Sequence, residues 1–381
     1  MIVRQFRRDR VSSDVGSLFA SILLFVGASV ASAQVVRPSA EVLSELDATI
    51  TKYLDENSVP GALVAVASRG EIIHLKEYGM ANVELSVPVT DKTVFEIGSI
   101  SKQFVSTAVM ILVQEDKLDL DDAIHRYLPD LPSEWLGVNI RQLLTHTSGI
   151  PDYEEIRTYD VYSFRLTPEQ VIQMAHSRPM DFTPGAGWYY SNTGYFLLSM
   201  IVERIEGRPL GQVLGNRIFG PLEMSETRMS DPEAIIPNRA SGYWINKAGE
   251  LINRNPTETS STLGAGGLLT TVYDLAKWDE ALYGDRLLSD ESKSTMWESA
   301  VPARYFDEET EYGFGWFVSR YQGLRSHSHT GQVAGFVADF SRYPDQEIAI
   351  IVLLNRYRVR PDYVKVAVLH TFMPSLGAIP E

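Results

Sequence analysis

The chain contains no cysteine. That excludes a disulfide framework, and it also excludes lipid attachment through a cysteine behind a leader segment. The absence is compatible with an oxidising compartment without arguing for one. Basic charge is scarce too: 34 Lys and Arg against 49 Asp and Glu give a formal net charge of −15 over 381 residues. Nucleic acid and anionic surfaces are held by basic patches, so neither is an expected partner. Several reaction signatures are missing. There is no His-Glu-x-x-His, and His327-Ser-His329 is followed by Thr330-Gly331 rather than a carboxylate, so no resident metal is expected. No Gly-x-Ser-x-Gly is present, which argues against a nucleophile elbow. Gly264-Ala-Gly-Gly267 lacks the Lys-Ser/Thr of a phosphate loop, and its glycines are read as letting a loop pass near a pocket. No organic cofactor is implied. The chain also lacks a Pro/Ser-rich linker, an internal repeat and a low-complexity segment.

What is present is a trio of short strings. The first is Ser99-Ile-Ser-Lys102, directly after Gly98. Phe104, Val105, Ala108, Ile111 and Leu112 follow at three- and four-residue spacing, so Ser99 is expected at a helix N-terminus, where unpaired N–H groups favour developing negative charge. Lys102 then shares its face, and a desolvated lysine can take a serine's proton. Read blandly, Ser99 is a helix cap and Lys102 a solvated charge. Ser101 points off that face and is expected to be replaceable.

The second string, Tyr190-Ser-Asn192, lies in a Gly- and aromatic-rich loop leading into the apolar run Tyr195-Phe-Leu-Leu-Ser-Met-Ile-Val202, read as a buried helix. A Tyr190 phenol beside an ammonium suits a proton shuttle, and Asn192 offers an amide to hold a substrate or the lysine. Trp188, Tyr189 and Tyr195 read as core filler. The third string is His329-Thr-Gly331 in an antiparallel meander, where Gly331 is expected to let a substrate backbone lie close. His327 and His329 are two apart and point to one side of the strand. His146, in Leu-Thr-His-Thr-Ser-Gly-Ile150, reads as a hydrogen-bonded structural histidine.

With these strings, and with Phe95-Glu-Ile-Gly-Ser-Ile-Ser-Lys-Gln-Phe104, Leu143 to Pro151, Gly264 to Thr271 and Tyr312-Gly-Phe-Gly-Trp316, the chain resembles the serine β-lactamase-like family. That family includes class C β-lactamases, D-Ala-D-Ala carboxypeptidases, D-aminopeptidases and carboxylesterases. The likeness runs from about Pro60 to about Leu354. It implies Ser99 as the acylated residue, Lys102 and Tyr190 as proton-transfer partners, and Asn192, His329, Thr330 and Gly331 as substrate-binding. The backbone N–H groups of Ser99 and Gln332 would form an oxyanion hole. Many relatives carry Lys-Thr-Gly where this chain has His329-Thr-Gly331. A histidine is mostly neutral at pH 7, which leans away from an efficient β-lactamase and toward a peptidase or esterase. If His329 reads a substrate carboxylate, His329→Lys should hold such substrates more evenly across neutral pH.

The fold expected is α+β, of the β-lactamase/transpeptidase-like kind. An antiparallel sheet is flanked by terminal helices, with a mostly helical subdomain inserted at roughly 115–290. Val42 to Leu54 and Tyr363 to Phe372 read as the terminal helices, and Gly61 to Ala67 with Ile72 to Lys76 as a hairpin about Arg69-Gly70. Residues 1–33 read as a signal peptide: Arg4, Arg7, Arg8 and Arg10 lead, Leu18 to Val30 is apolar, and Ala31-Ser-Ala33 fits the cleavage rule. A retained anchor is the alternative. Residues 34–381 would be one hydrolase domain, periplasmic or secreted, with no stable membrane span after cleavage. The expected function is D-Ala-D-Ala carboxypeptidase-like or D-peptidase-like hydrolysis, on a small-molecule or peptide substrate such as a peptidoglycan fragment. A carboxylesterase, a weak β-lactamase and a non-enzymatic penicillin-binding sensor are the alternatives.

Overall fold

Arg69 and Gly70 have φ of 47° and 81°. Two successive left-handed residues make the tight turn whose twist matches paired strands, and the hairpin forms about them as the sequence indicates. Its arms, β1 (Gly61–Ser68) and β2 (Glu71–Asn82), belong to a nine-stranded antiparallel sheet. The computed structural model describes residues 34–156, 159–298, 300–305 and 308–379. The leader segment expected at 1–33 lies outside them.

The other strands are β3 (Val87–Pro88), β4 (Val301–Tyr305), β5 (Glu308–Tyr312), β6 (Phe317–Tyr321), β7 (Leu324–Val333), β8 (Phe336–Tyr343) and β9 (Ile348–Leu354). The order across the sheet is β3-β2-β1-β9-β8-β7-β6-β5-β4. The last strands thus return to pair with the first, β9 against β1 with Val64 opposite Val352.

The apolar runs of β1 and β9 do not alternate with polar residues because both faces of the sheet are covered. Val64, Val66, Ile350 and Val352 pack with Leu46 and Ile50 of α1 (Ala40–Glu56) and with Val364 and Val368 of the C-terminal helix Asp362–Phe372. Leu63, Ala65, Ile351 and Leu353 face the other way, into a larger core with Phe104, Val105 and Trp278. Each Val, Leu, Ile or Phe among them contributes roughly 1.5–3 kcal/mol on burial. The interval expected to be helical contains helices such as Pro168–His176, Asn192–Glu206 and Val272–Ala281. It also holds strands of two to four residues, including the ribbon Gly242–Ile245 with Leu251–Arg254, too short to leave a period in the sequence.

One contact sets the position of the candidate site. The short turn Gly98–Ile100 enters α2 (Ser101–Gln114) and rests on β7. A Cβ added to Gly331 would stand 1.8 Å from the carbonyl oxygen of Ile97 and 3.1 Å from the Ser99 nitrogen. Gly98, at φ 51°, faces the same junction, where an added Cβ would lie 2.7 Å from the Gln332 nitrogen. Backbone meets backbone, so no side-chain rotation could relieve a methyl group. Gly331→Ala is expected to destabilise the protein by ~1–3 kcal/mol, as overpacking does, and to displace the Ser99 turn. A denaturation midpoint and activity both equal to wild type would refute the closeness of this junction.

Candidate active site

Ser99 sits in the turn before α2, half-buried on the wall of a cavity of about 640 Å³. Three residues on, the Lys102 side chain is fully buried and curls back so that Nζ lies 3.1 Å from Ser99 Oγ. Nζ also donates to Asn192 Oδ1 and to the Ala265 carbonyl, both at 2.7 Å. The last two partners can only accept. A neutral amine has two N–H bonds and one lone pair. With both N–H groups committed to Asn192 and Ala265, the lone pair is left facing the Ser99 hydroxyl, the geometry a base needs. Burial drives Lys102 down from the usual lysine range to about 7, although the Glu154 and Asp152 carboxyls oppose the shift.

Asn192 opens the helix α3 (Asn192–Glu206), whose N-cap is Ser191: its Oγ accepts from the Gly194 N–H at 3.3 Å. The Ser191 N–H donates to His146 Nδ1 at 3.1 Å. His146 is buried and packs on the rings of Tyr190 and Tyr312, with centroids 4.3 and 4.5 Å away. Tyr190 comes just before the cap, lines the cavity, and holds its ring 4.8 Å from Lys102 Nζ. The first two strings therefore converge on one point.

The third string needs correction. Thr330 and Gln332 of β7 line the cavity, and alternation along the strand sends His329 and Gly331 to the opposite face. The His329 ring is fully buried, Nε2 against the Tyr312 hydroxyl at 3.0 Å and Nδ1 against the Thr330 carbonyl at 2.6 Å. Burial first, and then the Lys102 charge, push it down to about 3, partly countered by the Thr330 carbonyl. A charged His329 facing a substrate carboxylate is not what this geometry provides. Gly331 is glycine because the Ile97 carbonyl abuts it, and not to admit a substrate backbone. Ser101 is not idle either. It is buried, donates to the Gly98 carbonyl at 2.7 Å and accepts from the Leu268 N–H at 3.2 Å, tying the turn to its neighbour.

Other wall residues carry no motif in the sequence. Asp152 accepts from the Asn192 backbone and side-chain N–H groups at 3.1 and 3.0 Å. Glu154, half-buried on the wall beside it, is pushed up by desolvation and by Asp152. Arg358 and Arg360 bring positive charge to the cavity from the loop before the C-terminal helix. Ala265 acts through its carbonyl. Among the described residues no cluster of three or more His, Asp or Glu side chains is placed to hold a metal ion.

An antiparallel sheet closed by its terminal helices, a helical side and a lysine-backed serine between them define a β-lactamase/transpeptidase-type serine hydrolase. The Beta-lactamase family model matches residues 46–370, and the chain belongs to that family. Penicillin-binding protein 4* of Bacillus subtilis (strain 168) is 32% identical over 326 residues, 81% of this chain and 71% of that protein. The octameric penicillin-binding protein homologue from Pyrococcus abyssi superposes with a TM-score of 0.77 at 28% identity, covering 89% of this chain and 78% of that one. The D-amino acid amidase from Ochrobactrum anthropi SV3 also gives 0.77, at 27% identity, over 88% and 99% of the two chains.

Two expectations follow. The Lys102 amine takes a proton only when neutral, so acylation should climb with pH through about 7 and level off above it. Lys102→Ala should lower the plateau by ~10²–10⁴-fold. A rate flat from pH 5 to about 9 would refute the neutral-amine reading. His329→Lys would put an ammonium in a buried aromatic nest beside Lys102, and should destabilise the protein by ~3–5 kcal/mol in urea unfolding. A variant as stable as wild type and better with carboxylate-bearing substrates would restore His329 to substrate recognition.

Proposed function

We propose that this protein is an exported hydrolase that cleaves amide bonds in small D-residue peptides through an acyl-enzyme on Ser99. One observation carries the reading: the buried Lys102 Nζ lies 3.1 Å from Ser99 Oγ at the cavity wall, while its other two partners, Asn192 Oδ1 and the Ala265 carbonyl, can only accept. In the first half-reaction Ser99 Oγ bonds to the substrate carbonyl carbon and its proton passes to Lys102. The backbone N–H groups of Ser99 and Gln332 receive the oxyanion where the turn meets β7. Tyr190 hands a proton to the leaving amine as the C–N bond breaks and regains one from Lys102, which returns to the neutral amine. Water then attacks the acyl carbon, giving its proton to Lys102, and that proton returns to Ser99 Oγ as the acyl C–O bond breaks and the acid leaves.

The likeness to a penicillin-binding protein and to a D-amino acid amidase supports the amide and D-residue assignment. Arg358 and Arg360, rather than His329, would face a terminal carboxylate, in keeping with a D-Ala-D-Ala carboxypeptidase-like reaction on a peptidoglycan fragment. The periplasmic or secreted location rests on the arginine-led apolar segment ending at Ala33. Among the described residues no helix is long and apolar enough to cross a membrane. One observation favours a carboxylesterase instead: the third string has no lysine, and its histidine is turned away from the cavity.

The test is intact mass spectrometry with a D-Ala-D-Ala peptide, its C-terminal amide, the L-Ala-L-Ala peptide, penicillin and a p-nitrophenyl ester. A Ser99 adduct and turnover are expected with the D-peptide, more slowly with its amide and least with the L-peptide. Turnover of the ester alone would make the protein an esterase. Covalent labelling that persists in folded Ser99→Ala would remove Ser99 as nucleophile.

A further inference from the structure

Where the Lys102 lone pair points depends on which end of the Asn192 amide faces Nζ. If the amide were reversed, its NH₂ would point at Nζ. The amine would then turn its lone pair toward Asn192 and aim an N–H at Ser99, leaving the nucleophile without a base.

Asp152 prevents that reversal. Its carboxylate is buried and meets three N–H donors. Oδ1 accepts from the Glu154 N–H at 3.0 Å, and Oδ2 accepts from the Asn192 backbone N–H at 3.1 Å and from Asn192 Nδ2 at 3.0 Å. A carboxylate satisfies donors at both oxygens, whereas an amide has one accepting oxygen. Donors on both sides therefore require an acid here, and the acid turns Nδ2 of Asn192 toward itself and Oδ1 toward Lys102. We propose that Asp152 is a positioning residue, which locks the Asn192 amide so that the Lys102 lone pair is left to Ser99. The inference rests on the acyl-enzyme reading of Ser99.

The groups facing Lys102 come from every side. Ser99 lies on the turn, Asn192 and Tyr195 on α3, Tyr190 on the loop before it, and the Ala265 carbonyl on the glycine loop. Asp152 brings negative charge, Glu154 a carboxyl that desolvation and Asp152 push toward its acid form, and the Lys102 charge in turn bears on His146 and His329. Asp152 thus acts on Lys102 in two separable ways. It orients an acceptor, which sets how fast the neutral amine works, and it carries charge, which raises the pH at which the amine becomes neutral.

The experiment measures the acylation rate of wild type, Asp152→Asn, Asp152→Glu and Asn192→Ala, and of the two Asp152 variants combined with Asn192→Ala. A fluorophosphonate probe is followed across pH, with Ser99→Ala as control. Asp152→Asn is expected to lower the plateau by ~10²-fold, of the size lost when a general base is misdirected, and to move the rising limb to lower pH because a negative charge is gone. In the Asn192→Ala background the same substitution should change the plateau by less than ~3-fold, since nothing is left to orient. Asp152→Glu keeps the charge and both oxygens, so it should hold the limb in place and recover part of the plateau. A role in stability alone would lower the melting temperature without moving the limb. Should Asp152→Asn lose its cooperative melt, Asp152→Glu carries the same cycle: its smaller plateau loss must vanish in the Asn192→Ala background.

A wild-type plateau in Asp152→Asn, or an equal loss with and without Asn192, overturns the proposal while leaving Ser99 as nucleophile. Labelling that persists in Ser99→Ala overturns the acyl-enzyme reading and this proposal with it.

Discussion

A lysine amine removed from water must find acceptors for its N–H bonds or give up its charge, and Lys102 does both. Its partners are separated along the chain by three, 90 and 163 residues. The socket therefore exists only once the turn before α2, the N-terminus of α3 and the glycine loop have come together. A charged amine there would be costly, so burial that would normally destabilise a lysine instead prepares it to accept a proton. Catalytic competence and correct packing of the helical side against the sheet are on this account one condition.

The surroundings of the socket keep further positive charge away from it. His146 and His329 are both buried, and both are pushed well below the ordinary histidine range, each of them partly by Lys102 itself. Neutral imidazoles can pack against tyrosines: the Tyr312 ring lies 4.5 Å from that of His146, and the Tyr312 hydroxyl meets His329 Nε2 at 3.0 Å. The result is an aromatic wall behind Tyr190 that excludes water without adding a cation. The Gly98–Gly331 junction does comparable work on the other side, bringing the Ser99 nitrogen and β7 into backbone contact.

Much of this was legible in the sequence, for reasons that differ by residue. Ser99 and Lys102 are three apart, so helical geometry alone brings them together. Tyr190 and Asn192 were legible because a Gly- and aromatic-rich loop ran into an apolar helix. The terminal helices and the Arg69-Gly70 hairpin had strong local patterns. The same two-residue period that put His327 and His329 on one side of β7 also puts Thr330 and Gln332 on the other, so the seclusion of His329 was available once the side facing the cavity was known. Ala265 left no signal because its carbonyl acts and any residue has one. Asp152 and Glu154 lie 53 and 55 positions from Ser99, in a stretch whose turn chemistry reads as loop structure; only the fold shows that they face Lys102.

The three ionisable groups around the socket are sorted by the number and kind of their hydrogen bonds. Burial pushes Asp152 up, but three N–H donors pull it back toward the carboxylate. Glu154 has hydroxyl partners only, from Tyr153 and Tyr162, and stands beside the Asp152 charge, so its neutral acid is favoured. Lys102, fully buried, is driven toward the amine. Asp152 is thus the carboxyl whose anion is best supported by donors, where an amide must be oriented, and the two groups beside it are tuned toward their uncharged forms. When Lys102 takes the Ser99 proton it becomes a cation with Asp152 already in place as counter-charge. The carboxylate that aims the amine in the resting enzyme also stabilises the ammonium formed as the acyl bond is made.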